Sequence, residues 1–141
     1  MLTFLDDHLD VSQAGFGLLV CYVHLGGIGT HDHLPEKNTA AYLAACRGKT
    51  LTLGGVLFVR CAADSWIANA AVRYRLTSKP MVAPVVRAMA NIRAFADRHG
   101  PFTVGMPHAR GIGIETFQTI VRAHWRTSDS TIIVSPPPPG I

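Results

Sequence analysis

Cysteine is scarce in this 141-residue chain, which contains only Cys21, Cys46 and Cys61. The count is odd and no Cys/Cys or Cys/His spacing matches a zinc site, so the sequence argues against a disulfide scaffold and a structural zinc site. We expect two unbridged thiols in strands and one in a helix. No apolar run approaches the roughly 20 residues of a membrane span, and the N-terminal stretch lacks the regions of a secretory signal. We therefore expect a cytoplasmic protein with no membrane partner.

Charged residues are also few, at 16% of the chain, whereas apolar residues make up 48%. This balance excludes intrinsic disorder, and the length fits one domain. The net charge is +4, without a block of Lys or Arg. The densest cluster contains Arg73, Tyr74, Arg75 and Lys79. A mild positive field favours anionic ligands or nucleic acid, although an ordinary solvated surface explains the same cluster.

Short apolar runs alternate with amphipathic segments along the chain, which predicts strands alternating with helices. The predicted strands cover residues 1–5, 18–24, 56–61, 66–72, 102–107 and 130–135, and the predicted helices cover 36–47, 81–99 and 116–126. The short link between the third and fourth strands predicts a hairpin. The pattern indicates an α/β fold with a mixed sheet and helices on both faces. We expect one domain over residues 1–135 and a Pro-rich tail over 136–141.

Two glycine-rich loops each follow an apolar strand, GGIGT over residues 26–30 and RGIGIE over residues 110–115. Glycines let the backbone approach a ligand closely, and adjacent N–H groups can cradle a phosphate. Neither loop matches the dinucleotide fingerprint or is followed by a P-loop Lys-Ser/Thr. A simple turn explains each loop alone, whereas two such loops at the carboxyl ends of strands favour a phosphate site.

The sequence also contains seven histidines, the densest group being His31-Asp32-His33, with His24 nearby. Two imidazoles could share one side of an extended segment, but no third ligand is evident at sequence distance. Solvated loop histidines explain the group better than a metal site does, so we predict no metal and no other cofactor. A serine hydrolase is not supported, because there is no GxSxG elbow.

Three stretches resemble the macro domain, and in particular the subfamily of the terminal ADP-ribose protein glycohydrolase. The run MPHARGIGIE over residues 106–115 is similar to the family's MPRIGxGLxG/D. The run WIAN over residues 66–69 is similar to the subfamily's W-V/I-A-N strand, and Leu34-Pro35-Glu36 through Tyr42 to Cys46-Arg47 is similar to its FPE…Y…ACR helix. The resemblance spans residues 18–135 and implies a three-layer α/β/α sandwich with a mixed central sheet.

The resemblance also implies a cleft for ADP-ribose between the two glycine loops. By position, the ligand-binding residues would be Asp7, His24, Gly27, Ile28, Gly29, Arg110, Gly111, Ile112 and Gly113. Asp7 would accept from the adenine amino group, although His8 fits equally by count. His24 stands where the family has Asn, and His108 stands where it has Arg. The subfamily's lysine after the first loop has no counterpart, and Glu115 is the remaining candidate catalytic acid.

These residues leave three functional hypotheses open. The leading one is a module that binds ADP-ribose or a related NAD-derived nucleotide, free or on an ADP-ribosylated protein or nucleic acid. The second is a hydrolase that removes ADP-ribose from a macromolecule, with Glu115 orienting water and a loop histidine assisting. The third is a scaffold whose cleft has lost its ligand, which the altered first loop favours.

Overall fold

The computed structural model describes residues 1–7, 15–27, 34–75 and 78–136. This part of the chain contains six strands and three helices. They are β1 (Leu2–Phe4), β2 (Leu18–His24), α1 (Glu36–Arg47), β3 (Val56–Ala62), β4 (Ser65–Arg73), α2 (Val82–His99), β5 (Thr103–Pro107), α3 (Ile114–Trp125) and β6 (Thr131–Ser135). Every predicted strand and helix is present, with ends that move by no more than a few residues.

The six strands form one mixed sheet in the order β1-β6-β5-β2-β4-β3. All neighbouring pairs are parallel except β3 and β4, which form the predicted antiparallel hairpin. Strand β2 lies at the centre and is almost entirely buried. Its continuous apolar sequence is typical of a parallel strand covered on both faces.

The two faces of the sheet pack against different helices. Because side chains alternate along a strand, Leu18 and Val20 of β2 join a core with α2 and α3, whereas Leu19, Cys21 and Val23 join a second core with α1. The first core is the larger and centres on Met89, Ile92, Phe117, Val121 and Trp125. The arrangement has three layers, which confirms the predicted α/β/α sandwich with a mixed sheet.

A buried amide pair joins α1 to the sheet. Asn38 Nδ2 donates to Asn69 Oδ1 at 3.1 Å, and Asn69 Nδ2 donates to Asn38 Oδ1 at 2.7 Å. Asn69 Nδ2 also donates to the Leu57 carbonyl at 3.1 Å. Both side chains are buried, so this pairing replaces the hydrogen bonds that they would make with water.

The connections on the two sides of the sheet's centre run in opposite directions. From β2 the chain passes through α1 to β3 at one edge, whereas from β5 it passes through α3 to β6 towards the other edge. The point between β2 and β5 is therefore a topological switch point, where α/β sheets open a crevice beyond the carboxyl ends of the strands. Both glycine loops begin at this point. Among the described residues, no helix is long and apolar enough to cross a membrane.

Candidate ligand-binding site

The crevice begins where β2 and β5 separate. The two strands are paired at Leu18 with Val104 and at Leu19 with Gly105, and their described pairing ends there. Further along, the Tyr22 hydroxyl donates to the Pro107 carbonyl at 2.7 Å and bridges the gap. Burial is the main cause that raises the pKa of Tyr22 well above its usual value, and the neighbouring Cys21 raises it further. The hydroxyl therefore remains a neutral donor. The first loop follows β2 and the second loop follows β5, so the two loops begin at the ends of adjacent strands.

The second loop, taken from here on as residues 108–113 between β5 and α3, makes three hydrogen bonds, one to β6 and two within itself. The His108 N–H donates to the Ser135 carbonyl at 2.9 Å, and the Ile112 N–H donates to the Ala109 carbonyl at 3.1 Å. The His108 ring lies edge-on to Phe117, and its Nε2 is 2.6 Å from the Ile112 carbonyl oxygen. Because that oxygen can only accept, Nε2 carries the proton. Ala109 and Ile112 are buried, so the loop has a preformed shape.

Helix α3 begins directly after this loop, with Gly113 as its N-cap. The first N–H groups of an α-helix have no partner within the helix. Among the described residues, no side chain caps those of α3. These groups and the helix dipole provide a partial positive charge that suits an oxyanion. The helix begins two residues earlier than predicted, so Glu115 lies in its first turn rather than in the loop. Glu115 and Arg110 are both exposed.

The two glycines of this loop have different roles in the backbone. Gly111 has a φ of +95°, and a Cβ there would lie 2.9 Å from Pro80 Cδ, so a side chain at this position is strained and crowded. Gly113 has a φ of −58°, which any residue adopts. A Cβ on Gly113 would meet only Thr116 Oγ1, at 3.9 Å. A substitution at Gly113 therefore changes the surface that a ligand would meet without straining the loop.

The first loop follows His24, the last residue of β2. His24 is only 1% exposed. The Gly26 N–H donates to His24 Nδ1 at 3.0 Å, and the Tyr42 hydroxyl donates to the His24 carbonyl. Burial is the main cause that lowers the pKa of His24, and the positive charge of Arg73 lowers it further. Gly27 has a φ of +71°, and a Cβ there would lie 3.2 Å from Cys46 Cβ. Close packing against α1 therefore shapes this turn.

Comparison with known proteins shows which fold this is. No protein-family profile and no curated protein matches the sequence. Among solved structures, the macrodomain of Thermus aquaticus DarG superposes with a TM-score of 0.84 at 14% identity, covering 98% of this chain and 99% of that one. The macrodomain of Mycobacterium tuberculosis DarG gives 0.84 at 20% identity, covering 97% and 98%. The chain has the macrodomain fold.

A third structure with this fold is Thermosipho africanus DarTG in complex with ADP-ribose. It superposes with a TM-score of 0.84 at 11% identity, covering 96% of this chain and 41% of the longer DarTG chain. At these identities the likeness establishes the macrodomain fold, as the sequence resemblance implied.

Within the macrodomain fold, the described candidate residues all lie at the carboxyl edge of the parallel strands. Asp7 follows β1 and is exposed, and the Leu5 N–H extends the ladder to the Val134 carbonyl at 2.9 Å. The second loop follows β5, and His24 and Gly27 follow β2. Ile28 and Gly29 of the first loop lie outside the described residues, as does His8. Their predicted contacts remain predictions.

Three further side chains at this edge were not predicted from the sequence as candidate site residues. Tyr22 bridges β2 and β5, and Ile114 is an apolar residue left 55% exposed beside the second loop. Ile114, Phe4 and Pro136 line a small crevice of about 30 Å³ next to the loop that carries Asp7. Arg73 ends β4 opposite His24. In the sequence, Arg73 directly follows a predicted apolar strand, which is a signal for a site residue. Arg73 also belongs to the cluster of Arg and Lys residues, so we interpreted it only as part of a general positive field.

Metal and thiol chemistry find no support among residues 1–7, 15–27, 34–75 and 78–136. No three His, Cys, Asp or Glu side chains in these ranges come close enough to hold a metal ion. His31, Asp32 and His33 lie outside the ranges, so the expectation of no metal stays a prediction. Burial raises the pKa of Cys21 to about 12 and also raises that of Cys61, which disfavours a nucleophilic thiolate at neutral pH.

Proposed function

We propose that this chain binds ADP-ribose or a closely related NAD-derived nucleotide in the crevice between β2 and β5. The observation that carries the proposal is the second loop. It is preformed, lies at the switch point, and leads into a helix whose first N–H groups lack a side-chain cap. A diphosphate provides the oxyanions that such a site favours. The shared fold with DarTG, which has been solved in complex with ADP-ribose, supports the same ligand.

The strand order suggests how the ligand would lie. Neighbouring strands are about 4.8 Å apart, so the ends of β1 and β5 are separated by roughly 10 Å. Asp7 and the exposed apolar side chain of Ile114 would contact the base at the β1 side. The second loop would hold the diphosphate, and the terminal ribose would extend towards β2 and β4. Arg110, Arg75 and Lys79 are exposed and would contribute a favourable field for an anionic ligand.

The proposal extends to where the nucleotide comes from. We infer that the ligand is presented as free nucleotide or on an ADP-ribosylated protein or nucleic acid, and that the chain works in the cytoplasm. Cys46 and Cys61 are free thiols, which fits a reducing compartment. The hydrolase hypothesis has less support, because no described side chain hydrogen-bonds to the Glu115 carboxylate to orient it. The scaffold hypothesis has less support because the second loop is intact.

The direct test is calorimetric titration with ADP-ribose, for the parent and for Gly113→Val. We expect the parent to bind, and ligand at one hundred times its Kd to stabilise the fold by about 2.7 kcal/mol. Gly113→Val should weaken binding at least tenfold while the free protein stays folded, because the backbone there is unstrained; replacing an N-cap glycine should cost only about 1 kcal/mol of stability. Thr119→Val places the same side chain at an exposed position six residues further along α3 and should bind as the parent does. A parent that ignores ADP-ribose, ADP and NAD, or a Gly113→Val variant with parental affinity, contradicts the proposal.

Glu115→Gln separates a binder from a hydrolase. In a binder, removing this charge near the phosphates should preserve the affinity or improve it slightly. In a hydrolase, removing a general acid–base group should lower turnover by roughly 10²–10⁴-fold. Release of ADP-ribose from a modified macromolecule, measured for both forms, gives the result. Turnover by the parent that Glu115→Gln loses would favour the hydrolase.

A further inference from the structure

Three buried side-chain nitrogens have no hydrogen-bond partner in the part of the chain that the structure describes. They are His24 Nε2, Arg73 Nε and Trp125 Nε1. Trp125 is enclosed by the apolar core under α2 and α3. His24 and Arg73, by contrast, are register partners across β2 and β4, at the carboxyl ends where the crevice opens. Two of the three unsatisfied groups thus belong to register partners at the edge that carries the candidate site.

The hydrogen bonds of His24 determine which ring nitrogen carries the proton. The Gly26 N–H donates to Nδ1 at 3.0 Å, so Nδ1 presents its lone pair. The neutral ring must therefore carry its proton on Nε2, which makes Nε2 a buried donor without an acceptor. The same bond uses the Gly26 amide, so in this part of the first loop the imidazole N–H, and not the Gly26 N–H, still needs an acceptor.

Arg73 adds a second donor with a permanent charge. A guanidinium stays protonated in proteins, so its Nε–H can only donate. Burial and Arg73 together lower the pKa of His24 and keep the imidazole neutral. Two buried donors, one of them cationic, are costly to leave unsatisfied, and an anionic oxygen compensates them better than a neutral one. The donor set therefore selects for an oxyanion.

We propose that His24 Nε2 and the Arg73 guanidinium form an oxyanion subsite that accepts a phosphoryl or carboxylate group carried by the ligand. The pair lies on the side of β2 away from β5 and the second loop. If the second loop holds the diphosphate, as the proposed function states, this anion is a further group at the opposite end of the ligand from the base. The subsite would then distinguish nucleotides that carry a terminal anionic group from those that end in a bare sugar.

The test follows the amide resonances of Leu25 and Gly26 while inorganic phosphate or acetate is added at constant ionic strength. We expect saturable shifts in the parent. His24→Asn keeps an acceptor for the Gly26 N–H but removes the distal donor, and Arg73→Met removes the charge while retaining an apolar stem. Each should weaken the apparent affinity for the anion at least tenfold. Arg98→Met removes an equal charge from the far end of α2 and should leave the affinity within twofold of the parent.

The two anions identify the source of the oxyanion. Tighter binding of phosphate indicates a phosphoryl group, tighter binding of acetate indicates a carboxylate, and either supports the subsite. The proposal fails if neither anion moves the resonances, since an internal water would then satisfy the pair. It also fails if Arg98→Met weakens the binding as much as Arg73→Met, which would reveal only a general charge effect.

Gly113→Val separates this inference from the proposed function. That variant should lose ADP-ribose but keep phosphate at the His24–Arg73 pair, because the second loop is not part of the subsite. A parent that binds phosphate at the pair and ignores ADP-ribose would leave the subsite standing and overturn the proposed nucleotide. A parent that binds ADP-ribose, but whose His24–Arg73 pair responds to neither anion, would support the proposed nucleotide and overturn the subsite.

Discussion

The buried polar residues Asn38 and Asn69 decide how α1 sits on the sheet. Their amides pair in both directions, and Asn69 also donates to the Leu57 carbonyl of β3. Apolar packing alone has no direction, so a helix held only by apolar contacts can shift along the sheet at little cost. The amide pair is satisfied at one position of the helix. Because α1 also provides Tyr42, which contacts His24, this position bears on the first loop.

We predict strong coupling between these two asparagines. Asn38→Leu or Asn69→Leu alone should lower the free energy of unfolding by roughly 1–3 kcal/mol, because each leaves a buried amide without its partner. The double variant should cost less than the sum of the single variants, by roughly 0.5–3 kcal/mol. Urea unfolding of the four proteins measures this difference. Simple additivity would show that the pair contributes nothing beyond two separate side chains.

Lys49 is a residue in an unfavourable conformation at the end of α1. Its φ is +55°, and it occupies the left-handed position where glycine is common, whereas Gly48 has an ordinary φ of −80°. The Thr50 N–H donates to the Ala45 carbonyl at 3.0 Å and the Lys49 N–H to the Cys46 carbonyl at 3.2 Å, which is a Schellman ending. The glycine is thus one residue too early for the position that needs it.

Lys49→Gly should therefore stabilise the protein, by up to about 1 kcal/mol, since it removes the left-handed strain at some cost in backbone entropy. Lys49→Ala is the matched control, because it removes the charge and keeps the strain. We expect thermal unfolding to show a higher midpoint for the glycine variant alone. An equal gain in both variants would assign the effect to charge.

At the scale of elements, the second loop combines a positive φ that suits glycine at Gly111 with a side-chain brace at His108. The brace joins the start of the loop to the Ile112 carbonyl, just before the N-terminus of α3. The loop's amides are therefore placed before any ligand arrives, which reduces the ordering cost of binding. The proposed diphosphate site depends on this preformed shape more than on any one side chain.

We predict that His108→Phe weakens ADP-ribose binding by about tenfold, the equivalent of about 1.4 kcal/mol. The variant keeps an aromatic ring against Phe117 but leaves the Ile112 carbonyl without its donor. His124→Phe is the control, because it removes a similar bond to the Ile120 carbonyl, at 2.8 Å, near the other end of α3. Titration calorimetry gives both affinities. Equal weakening in the two variants would point to a general loss of helix stability.

At the scale of the whole molecule, side chains from different elements surround His24 at the carboxyl edge of the sheet. Arg73 of β4 and the Tyr42 hydroxyl of α1 both approach His24. Burial also raises the pKa of Tyr42, which stays neutral in the range where histidine titrates. The protonation of His24 should therefore link the state of the site to the stability of the fold.

We predict that His24 contributes to acid destabilisation. Its pKa in the fold is lowered below the unfolded value of about 6.5, so as the pH falls the unfolded chain binds this proton first. The contribution to stability is complete above about pH 6.5 and decreases as the pH falls towards the folded pKa. Urea unfolding between pH 7 and pH 5 should show a shallower loss of stability in His24→Asn than in the parent. Identical slopes would contradict a lowered pKa.

The sequence by itself determined the elements. Strand β2 is a continuous apolar run, α2 has a clear 3.6-residue period, and the short link before Ser65 predicted the hairpin, because all three signals are local. The start of α3 was misplaced since Gly113 carries no capping side chain to announce it. The placement of both glycine loops beyond strand ends also followed from the sequence, because parallel strands have their carboxyl ends at one edge.

Only the tertiary structure decided the strand order and the partners across it. His24 and Arg73 become register neighbours because β2 and β4 pair in parallel with one bulge, a relation that no local pattern encodes. The same holds for Tyr22 reaching Pro107, which requires β5 to return to the other side of β2. Whether a buried donor finds an acceptor depends on elements far apart in sequence, and the unsatisfied pair at the crevice becomes visible only when the sheet is assembled.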